Sequence, residues 1–396
     1  MIHKSRAAIL FCTALFFLLF LLGCNGGSSS TSKSCFGPCS SPPTAEFLYA
    51  TSTDHILAFT IDQSTGALGA PLAMTGPNQS LGMVAAKTSV GYLYVSDFLN
   101  DAVDGFSINS SSGGLTPVTD SPSHVGIMPP GAGGLSNLPP SDFYLYATDL
   151  NAGMVAGFTF DSFSGKLTPV PGSPFLAGNT PVQAAQDYLS KFLYISNLND
   201  SAGGISGFTI DLDTGALSQI TGSPFPTGPP GSYPGPSALV VSNNFLYVAL
   251  AGTANPNNKI VGFAIDPTTG VLTPVPGSPF TTGSNPLFIA SVPVTGVAFH
   301  AFLYTANVQD GTISAFTADY NTGVLTPING SPYASGTSVR GIALDFTLPF
   351  LYAADPQSNA VRAYAIDGNT GALSPISGSP FPAGSAPQLL TMAAAQ

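Results

Sequence analysis

Several residue types are scarce in this chain of 396 residues. Tryptophan is absent, charged residues make up only 7%, Glu46 is the only glutamate, and there are four histidines. The 9 Lys and Arg residues stand against 20 Asp and Glu, which gives a net charge of −11. This balance provides no basic surface for phosphate backbones, so nucleic acid is not an expected partner. Chemistry that needs several Glu or His side chains is also hard to assemble.

Glycine, proline and apolar residues are abundant instead. The chain has 44 Gly and 36 Pro, while 44% of its residues are hydrophobic and 27 are Phe. A Gly and Pro content this high is typical of some disordered chains, but the apolar residues suffice to fill a sizeable core. The composition therefore favours a folded, turn-rich β-protein.

The N-terminus has the pattern of an export signal. Three basic residues precede an unbroken apolar run over residues 7–22, which ends in Leu21-Leu22-Gly23-Cys24. The run is short for a membrane span, and a Ser- and Gly-rich stretch follows it directly. The tetrapeptide resembles the bacterial lipobox, in which cleavage before the cysteine leaves it as the acylated first residue. The resemblance implies that residues 1–23 are a signal peptide and that Cys24 carries the lipid. Simple secretion with an unmodified Cys24 is the alternative.

Residues 24–46 form a Ser-, Gly- and Pro-rich tether in this interpretation. The chain after residue 23 has 7 Lys and Arg against 20 Asp and Glu, a net charge of −13 that anionic headgroups would repel, so the lipid would be the membrane attachment. Asn25 replaces the Asp that marks inner-membrane retention in some bacteria, which favours the outer membrane. Cys35 and Cys39 are expected to form a small disulfide loop in an oxidising compartment. A metal site there would need two more soft ligands, so none is expected.

One unit is repeated seven times in residues 47–396. A Leu-Tyr pair marks each copy, with its tyrosine at Tyr49, Tyr94, Tyr146, Tyr194, Tyr247, Tyr304 and Tyr352. A second apolar stretch, a turn ending in Gly, and in most copies a Gly-Ser-Pro-aromatic motif follow each pair. Four short strands in a repeat of about 50 residues are typical of a β-propeller blade. The sequence thus predicts an all-β, seven-bladed propeller, closed by a C-terminal strand that completes the N-terminal blade.

The repeat tyrosines carry a family resemblance. Tyr194-Ile195-Ser196-Asn197 and Tyr304-Thr305-Ala306-Asn307 resemble the YVTN repeat. The array is similar to the seven-bladed propellers of the lactonase family, which is related to the 6-phosphogluconolactonase type of enzyme. The resemblance implies the propeller fold and, as one possible activity, hydrolysis of sugar-acid lactones. Propellers host unrelated functions, so the fold alone does not assign an activity.

Two sets of polar residues recur with the repeat. The first set precedes the turn glycine between the third and fourth strands, and we expect it to be structural, because Asp accepts backbone N–H bonds within such turns. It comprises Asp62, Asp161, Asp211, Asp266, Asp319 and Asp367. These turns lack the dense oxygen ligands of a calcium loop, and no metal or cofactor is predicted.

The second set lies three residues after each repeat tyrosine, at the end of the second strand. It comprises Ser52, Asp97, Asp149, Asn197, Leu250, Asn307 and Asp355. Either each polar member caps its own loop, or the set forms a ring at the channel mouth that binds a polar ligand or a cation. Leu250 interrupts the set, and the insertion at residues 252–258 that follows it, with Asn255 and Asn258, is a candidate binding loop.

A catalytic site for lactone hydrolysis can be hypothesised from the few remaining groups. His124 would be the base and Arg340 the oxyanion donor, with Asp97 or Asp149 orienting the histidine. Gln183 and Gln388 are expected to line the channel near Arg340, and Arg362 is expected to be a solvated side chain.

Three functions remain open from the sequence. The preferred one is a cell-envelope lipoprotein whose propeller binds a protein, a glycan or a small polar ligand. The second is a lactonase acting on a neutral sugar-acid lactone, which requires His124, Arg340 and an Asp to meet at one pocket. The third is a purely structural envelope protein without a ligand.

Overall fold

The computed structural model describes most of the chain after residue 44. The described residues are 45–53, 55–77, 79–87, 90–125, 132–136, 144–199, 204–228, 235–251, 258–293, 300–345 and 348–395. In these ranges the secondary structure is almost entirely β, with one short 3-10 helix, Pro356–Ser358. No helix in these ranges has the length and apolarity that a membrane crossing requires.

The first blade joins the two ends of the propeller. It contains β1 (Ala45–Thr51), β2 (His55–Thr60), β3 (Leu72–Thr75) and, from the C-terminus, β34 (Leu390–Ala395). The C-terminal strand pairs antiparallel with β1 over six residues and forms the innermost strand of the sheet. The predicted closure of the ring is therefore confirmed.

Each of the other six blades contains five strands, which follow in chain order as the inner strand, the second strand, the third strand and two short segments of the outer strand. Blades 2 and 3 contain β4 (Met83–Lys87), β5 (Gly91–Asp97), β6 (Ala102–Ile108), β7 (Leu115–Pro117), β8 (Ser123–His124), β9 (Ala132–Leu135), β10 (Tyr144–Asp149), β11 (Met154–Phe160), β12 (Leu167–Pro169) and β13 (Phe175–Leu176). Blades 4 and 5 contain β14 (Pro181–Gln186), β15 (Phe192–Asn197), β16 (Gly204–Ile210), β17 (Leu217–Gln219), β18 (Phe225–Pro226), β19 (Pro236–Ser242), β20 (Phe245–Leu250), β21 (Lys259–Ile265), β22 (Leu272–Pro274) and β23 (Phe280–Thr281). Blades 6 and 7 contain β24 (Pro286–Pro293), β25 (His300–Asn307), β26 (Thr312–Asp319), β27 (Leu325–Pro327), β28 (Tyr333–Ala334), β29 (Ile342–Leu344), β30 (Phe350–Asp355), β31 (Ala360–Ile366), β32 (Leu373–Pro375) and β33 (Phe381–Pro382).

The outer strand of blades 2 to 7 is split into two short segments, where the sequence predicted one strand. In blade 3, β12 and β13 both pair with β11, and the chain bulges away between them. The backbone N–H of Gly157 on β11 has lost its ladder partner there and donates to the hydroxyl of Ser173 at 3.0 Å. The serine of the repeated Ser-Pro dipeptide therefore replaces a strand bond. The equivalent hydroxyls are those of Ser121, Ser223, Ser278, Ser331 and Ser379.

The repeat tyrosines join each blade to the next. Each lies on the second strand and is fully buried, because another blade covers either face of that strand. Tyr146, for example, donates from its hydroxyl to the carbonyl of Gly215 in the turn of the following blade at 2.7 Å. The same bond recurs at every blade interface, and Tyr352 closes the ring by donating to Gly66 at 3.0 Å. The other donor and acceptor pairs are Tyr49 and Gly113, Tyr94 and Gly165, Tyr194 and Gly270, Tyr247 and Gly323, and Tyr304 and Gly371.

The turn aspartates have the structural role expected of them. Asp211 accepts the backbone N–H groups of Asp213 and Thr214 at 3.0 and 2.9 Å. Hydrogen bonds from Thr214 and Asp213 lower the pKa of this carboxyl, and those from Ser64 and Thr65 lower the pKa of Asp62 to about 2. Gly215 ends the turn at φ +75°, where a Cβ atom would meet the ring of Tyr144 at 2.5 Å. The turn thus needs glycine for its backbone conformation and for the close approach of the neighbouring blade.

Candidate functional site

The two faces of the propeller carry different connections. The crossover face, marked by Asn197, Asn307 and Arg340, holds the loops between second and third strands and the segments that pass from one blade to the next. The turn face, marked by Asp62 and Asp211, holds the other two kinds of turn. The strand-end residues and the inner-strand candidates of the sequence analysis lie on the crossover face.

The strand-end asparagine of blade 6 is fully buried and has four hydrogen bonds. Asn307 donates from Nδ2 to Thr312 and Ser314 at 3.0 and 2.9 Å, and both partners lie on the third strand of its own blade. Its Oδ1 accepts from the hydroxyls of Thr282 and Thr305 at 3.3 and 3.2 Å. Thr282 belongs to the segment that enters from blade 5. The side chain therefore fastens the crossover segment to the blade and has no open face for a ligand.

Blade 4 has a similar arrangement, but Oδ1 of Asn197 is buried without a hydrogen-bond partner among the described residues. Asn197 donates from Nδ2 to the hydroxyl of Ser206 at 2.9 Å and to the carbonyl of Gly204 at 3.3 Å. Ser206 in turn donates to the carbonyl of Ala177 in the segment arriving from blade 3. A Cβ atom at Gly178 of that segment would meet the Asn197 amide at 2.6 Å. The asparagine thus packs directly under the crossover.

Blade 7 uses an ion pair at the same position. Asp355 is fully buried and accepts from Nε and Nη2 of Arg362, both at 3.1 Å. It also accepts from the hydroxyls of Ser358 and Thr337 at 2.7 and 3.3 Å. The expectation that Arg362 is a solvated side chain is therefore wrong, because its guanidinium neutralises a buried carboxylate.

Blade 2 places two carboxylates where blade 7 has an ion pair. Asp97 accepts from the backbone N–H and the amide of Asn100 at 3.1 and 2.6 Å. Asp104 follows on the third strand, two residues beyond the partner of Asp97, so both side chains lie on one face of the sheet. Burial, and secondarily the charge of Asp97, raise the pKa of Asp104 to about 6.

The remaining strand-end residues are also buried. Asp149 accepts from the backbone N–H groups of Asn151 and Ala152 at 3.1 and 3.0 Å, and Ser52 donates to the carbonyl of His55 at 3.2 Å. Leu250 is an apolar member of the same buried set. These contacts favour the capping alternative over an open ring of ligand-binding groups.

The channel rim is formed by a different set of residues. In each blade, one inner-strand residue pairs with the second-strand residue that follows the repeat tyrosine, and the rim position lies two residues before that inner-strand residue. In blades 1, 2 and 7 this position precedes the inner strand itself. In blade order this register row, which we call the channel rim, comprises Gln388, Leu81, Gly133, Val182, Ser237, Leu287 and Arg340. Gly133 and Ser237 are buried, and the hydroxyl of Ser237 donates to the carbonyls of Ala249 and Pro286 at 3.1 and 3.0 Å, so the other five residues provide the accessible part of the rim. Arg340 is exposed, and its Nη1 donates to Oε1 of Gln388 at 2.9 Å. It forms no ion pair with the described residues, so most of its N–H donors face solvent.

Gln183 lies one residue beyond the rim position of its blade. Its Oε1 accepts from the backbone N–H of Leu239 in the next blade at 3.2 Å, and its own N–H donates to the hydroxyl of Ser196 at 3.2 Å. Part of this side chain is therefore engaged between blades. Of the three predicted channel residues, Arg340 and Gln388 are brought together and Gln183 is not among their hydrogen-bond partners.

His124 lies far from the rim in the order of strands. It is an exposed residue of β8, which pairs with β6 at Ala102, on the outermost position of blade 2. Three strand spacings, about 14 Å in total, separate this position from the inner strand. Arg340 lies in blade 7, and blade 1 stands between the two. Asp97 and His124 both align with Ala102 across the sheet of blade 2, so they are two strands apart. His124 and Arg340 are not brought together.

Several predicted residues fall at or beyond the edges of the described ranges. Cys24, Cys35, Cys39 and Asn255 lie outside them. Asn258 begins the range after the insertion, and its backbone carbonyl accepts from Thr282 at 2.9 Å. Its side-chain oxygen is buried and has no hydrogen-bond partner among the described residues. The lipid, disulfide and binding-loop predictions therefore stay predictions.

Comparison with known proteins identifies the family. The model of the family described as Lactonase, 7-bladed beta-propeller, matches residues 41–291 and 294–387. This chain belongs to that family. No curated protein matches it.

Solved structures similar to this lactonase-family chain share its fold at low identity. A putative 6-phosphogluconolactonase from Bacteroides fragilis has 17% identity and a TM-score of 0.68, over 90% of this chain and 99% of that one. The periplasmic gluconolactonase PpgL of Pseudomonas aeruginosa has 18% identity and a TM-score of 0.65, over 89% of this chain and all of that one. At such identities the likeness establishes the fold, and the activity has to be argued from the residues.

Two features of this lactonase-family propeller escaped the sequence analysis. Asp104 is seven residues after Asp97, the same spacing that separates Arg362 from Asp355, so aligning the repeats beyond the strand end could have found the pair. The channel rim has no residue type in common, and only strand register identifies it. Across the described residues, no group of three or more His, Cys, Asp or Glu side chains is placed to hold a metal ion.

Proposed function

We propose that this lactonase-family propeller is an exported, lipid-anchored protein of the bacterial envelope that works as a binding scaffold. The observation behind this proposal is the role of the polar side chains on the crossover face. Buried strand-end groups hold blades and crossover segments together, while Arg340 keeps free donors at the channel rim. The face thus offers a contact surface, while the hypothesised base His124 and the oxyanion donor Arg340 lie far apart.

The chemistry of the rim suggests what it would contact. Arg340 presents N–H donors beside Gln388, whose amide oxygen accepts one of them, whereas Leu81, Val182 and Leu287 present apolar surface. A ligand that suits this rim has an oxygen acceptor for the guanidinium beside an apolar or neutral portion. A protein loop, a glycan or a small polar molecule meets that description.

The export part of the proposal rests on the N-terminal sequence. The signal-like run and Leu21-Leu22-Gly23-Cys24 support acylation at Cys24. A Cys24→Ser variant of the full chain, expressed in a bacterium and fractionated, tests it. We expect wild type in the membrane fraction and Cys24→Ser released from it, whereas equal distribution of both would contradict lipid anchoring.

Lactone hydrolysis is the second candidate function. It is favoured by the family and by Arg340, whose free donors could stabilise an oxyanion at the channel rim. It needs in addition a group that activates water, and His124 lies three strands out and two blades away. This separation is the reason we rank hydrolysis below binding.

Hydrolysis of a panel of neutral sugar-acid lactones by purified residues 25–396 separates the two functions. Arg340→Ala and His124→Ala test the hypothesised site, and Lys191→Ala, a cation removed from the turn face, is the matched control. The scaffold proposal predicts no turnover above buffer with any of these proteins. Turnover by wild type and Lys191→Ala that is lost in Arg340→Ala would contradict it and establish a lactonase.

A further inference from the structure

The turn face of blades 3 and 4 exposes four large apolar side chains. Phe163 is 82% exposed, Tyr188 72%, Leu189 61% and Leu212 58%. Phe163 and Leu212 lie in the turns between third and fourth strands, and Tyr188 and Leu189 lie in the turn between β14 and β15. The two turns of blade 4 are adjacent, because Ile210 donates its backbone N–H to Lys191 at 2.8 Å.

The turns themselves do not require these residues. Phe163 occupies the third position of a turn that recurs in every blade, where the other six blades have small or polar residues. Those residues are Ser64, Ser111, Asp213, Thr268, Asn321 and Asn369. An exposed phenylalanine adds nothing to the turn's hydrogen bonds, so Phe163 contributes apolar surface that the turn does not require.

The backbone under these side chains is held in place. Asp161 accepts the N–H of Phe163 at 3.0 Å, and the hydroxyl of Tyr92 donates to the carbonyl of Phe163 at 2.6 Å. Tyr144 donates in the same way to the carbonyl of Leu212 at 3.2 Å. The apolar groups are thus presented to solvent from fixed turns, which lowers the entropic cost of docking them on a surface.

The chain enters the propeller on the same face. Ala45 begins β1, and Phe47 pairs with Thr60, next to the turn of Asp62. Residues 25–44 are the 20 residues between the proposed lipidated Cys24 and this point, and fully extended they reach about 70 Å. A lipid at Cys24 therefore keeps the turn face within reach of the bilayer and at a high effective concentration beside it.

Charge decides which lipid surface suits this face. The turn aspartates are exposed, and hydrogen bonds lower the pKa of five of the six, which keeps those carboxylates ionised in mildly acidic surroundings. The cations of the same turns in blades 3 and 4 are Lys191 and Lys166, and Lys166 pairs with Asp120 at 2.7 Å. Carboxylates therefore dominate this face, and an anionic headgroup layer would repel it. Phenylalanine, tyrosine and leucine, by contrast, partition into the interface of a neutral bilayer.

We infer that the turn face of blades 3 and 4 docks on the zwitterionic surface of the bilayer that holds the lipid anchor, with Phe163, Tyr188, Leu189 and Leu212 in the interface. The inference rests on the proposed lipid anchoring. Docking would leave the crossover face and its channel rim directed away from the membrane, open to a ligand.

The absence of tryptophan from the chain allows a direct test. Phe163→Trp places a single fluorophore in the proposed contact, and Leu99→Trp places one at an exposed position of the crossover face. Residues 25–396 with an N-terminal hexahistidine tag are bound to phosphatidylcholine vesicles that contain a nickel-chelating lipid and a brominated phosphatidylcholine. This artificial tether makes the result independent of acylation at Cys24, so failure of the lipoprotein proposal and failure of docking are distinguishable.

We expect the emission of Phe163→Trp to shift to shorter wavelength and to be quenched by bromine, and that of Leu99→Trp to stay unchanged. Replacing Tyr188, Leu189 and Leu212 by serine in the Phe163→Trp protein is expected to reduce the quenching while circular dichroism confirms the fold. Adding phosphatidylglycerol, an anionic lipid, is expected to weaken the quenching of Phe163→Trp. Equal emission from both tryptophans on vesicles that have bound the protein, or stronger quenching with phosphatidylglycerol, would overturn the inference and leave a cationic protein as the occupant of this face.

Discussion

Blades 2 and 7 place side chains of opposite charge beside the same strand-end aspartate. At the end of the second strand both carry an aspartate, Asp97 and Asp355, and both place a charged residue seven positions later on the third strand. In blade 7 that residue is Arg362, which neutralises the buried carboxylate. In blade 2 it is Asp104, whose pKa rises to about 6.

The difference shows what the strand-end position requires. Blades 4 and 6 use an amide and a hydroxyl there, and blade 5 has Leu250. The position thus accepts an ion pair, a neutral pair, two carboxylates or an apolar residue. A ligand-binding ring would need convergent chemistry, whereas a structural position needs only that each buried group find a local partner or stay neutral.

Breaking the ion pair of blade 7 is expected to have the largest effect. Arg362→Met leaves Asp355 buried without a cation, which we expect to cost about 3 to 5 kcal/mol in the free energy of unfolding, measured with urea. The double variant Asp355→Asn with Arg362→Met should recover most of the loss. A loss below about 1 kcal/mol in the single variant would contradict the assigned role of Arg362.

Removing Asp104, the second carboxylate of blade 2, is expected to change the stability of the protein in a pH-dependent way. The pKa of Asp104 is about 6 in the folded protein, above its value near 3.8 in the unfolded chain. The free energy of unfolding therefore falls as the pH rises through this range, and the loss is complete above pH 6. Asp104→Asn should therefore stabilise the protein above pH 6, by about 1 kcal/mol after allowing for solvent screening, and leave it unchanged near pH 4. Thermal unfolding at both pH values measures this. A stabilisation that is equal at the two pH values would rule out the charge explanation.

The turn carboxylates give the smallest effect and the opposite slope. The folded pKa of Asp62 is lowered to about 2, so the stability it contributes is present above pH 4 and lost as the pH falls toward 2. Asp62→Ala should lower the unfolding temperature slightly at pH 7, and the difference from wild type should shrink toward pH 2. A difference that persists at pH 2 would point to packing of the turn and not to its charge.

Local pattern predicted most of the fold from sequence. The repeat tyrosines, the turn aspartates and the C-terminal strand at Leu390 follow from strand and turn chemistry within one repeat, and the family match and the sheet topology confirm that architecture. The interblade bond from each tyrosine hydroxyl could not be predicted, because its acceptor lies in the next repeat and depends on blade packing.

The candidate site was less predictable for a similar reason. The sequence places His124 and Arg340 on one face but does not give their distance from the propeller axis, and strand pairing puts them at opposite ends of the radial order. The partner of Asp355 was missed because cross-strand register, and not local pattern, brings Arg362 to it. The sequence predicts Arg340 and Gln388 near each other because both lie just before inner strands.

The unfolding stability of Asn307→Ala, measured beside Arg340→Ala, tests the central claim that strand-end side chains hold the blades while the exposed rim residue Arg340 contributes little to the fold. Asn307 is buried with four hydrogen bonds, so its loss should lower the free energy of unfolding by about 2 kcal/mol or more. Arg340 is exposed, and its replacement should change stability by less than about 0.5 kcal/mol. If Asn307→Ala unfolds at the same urea concentration as wild type, the side chain is not holding the blade, and the account is contradicted.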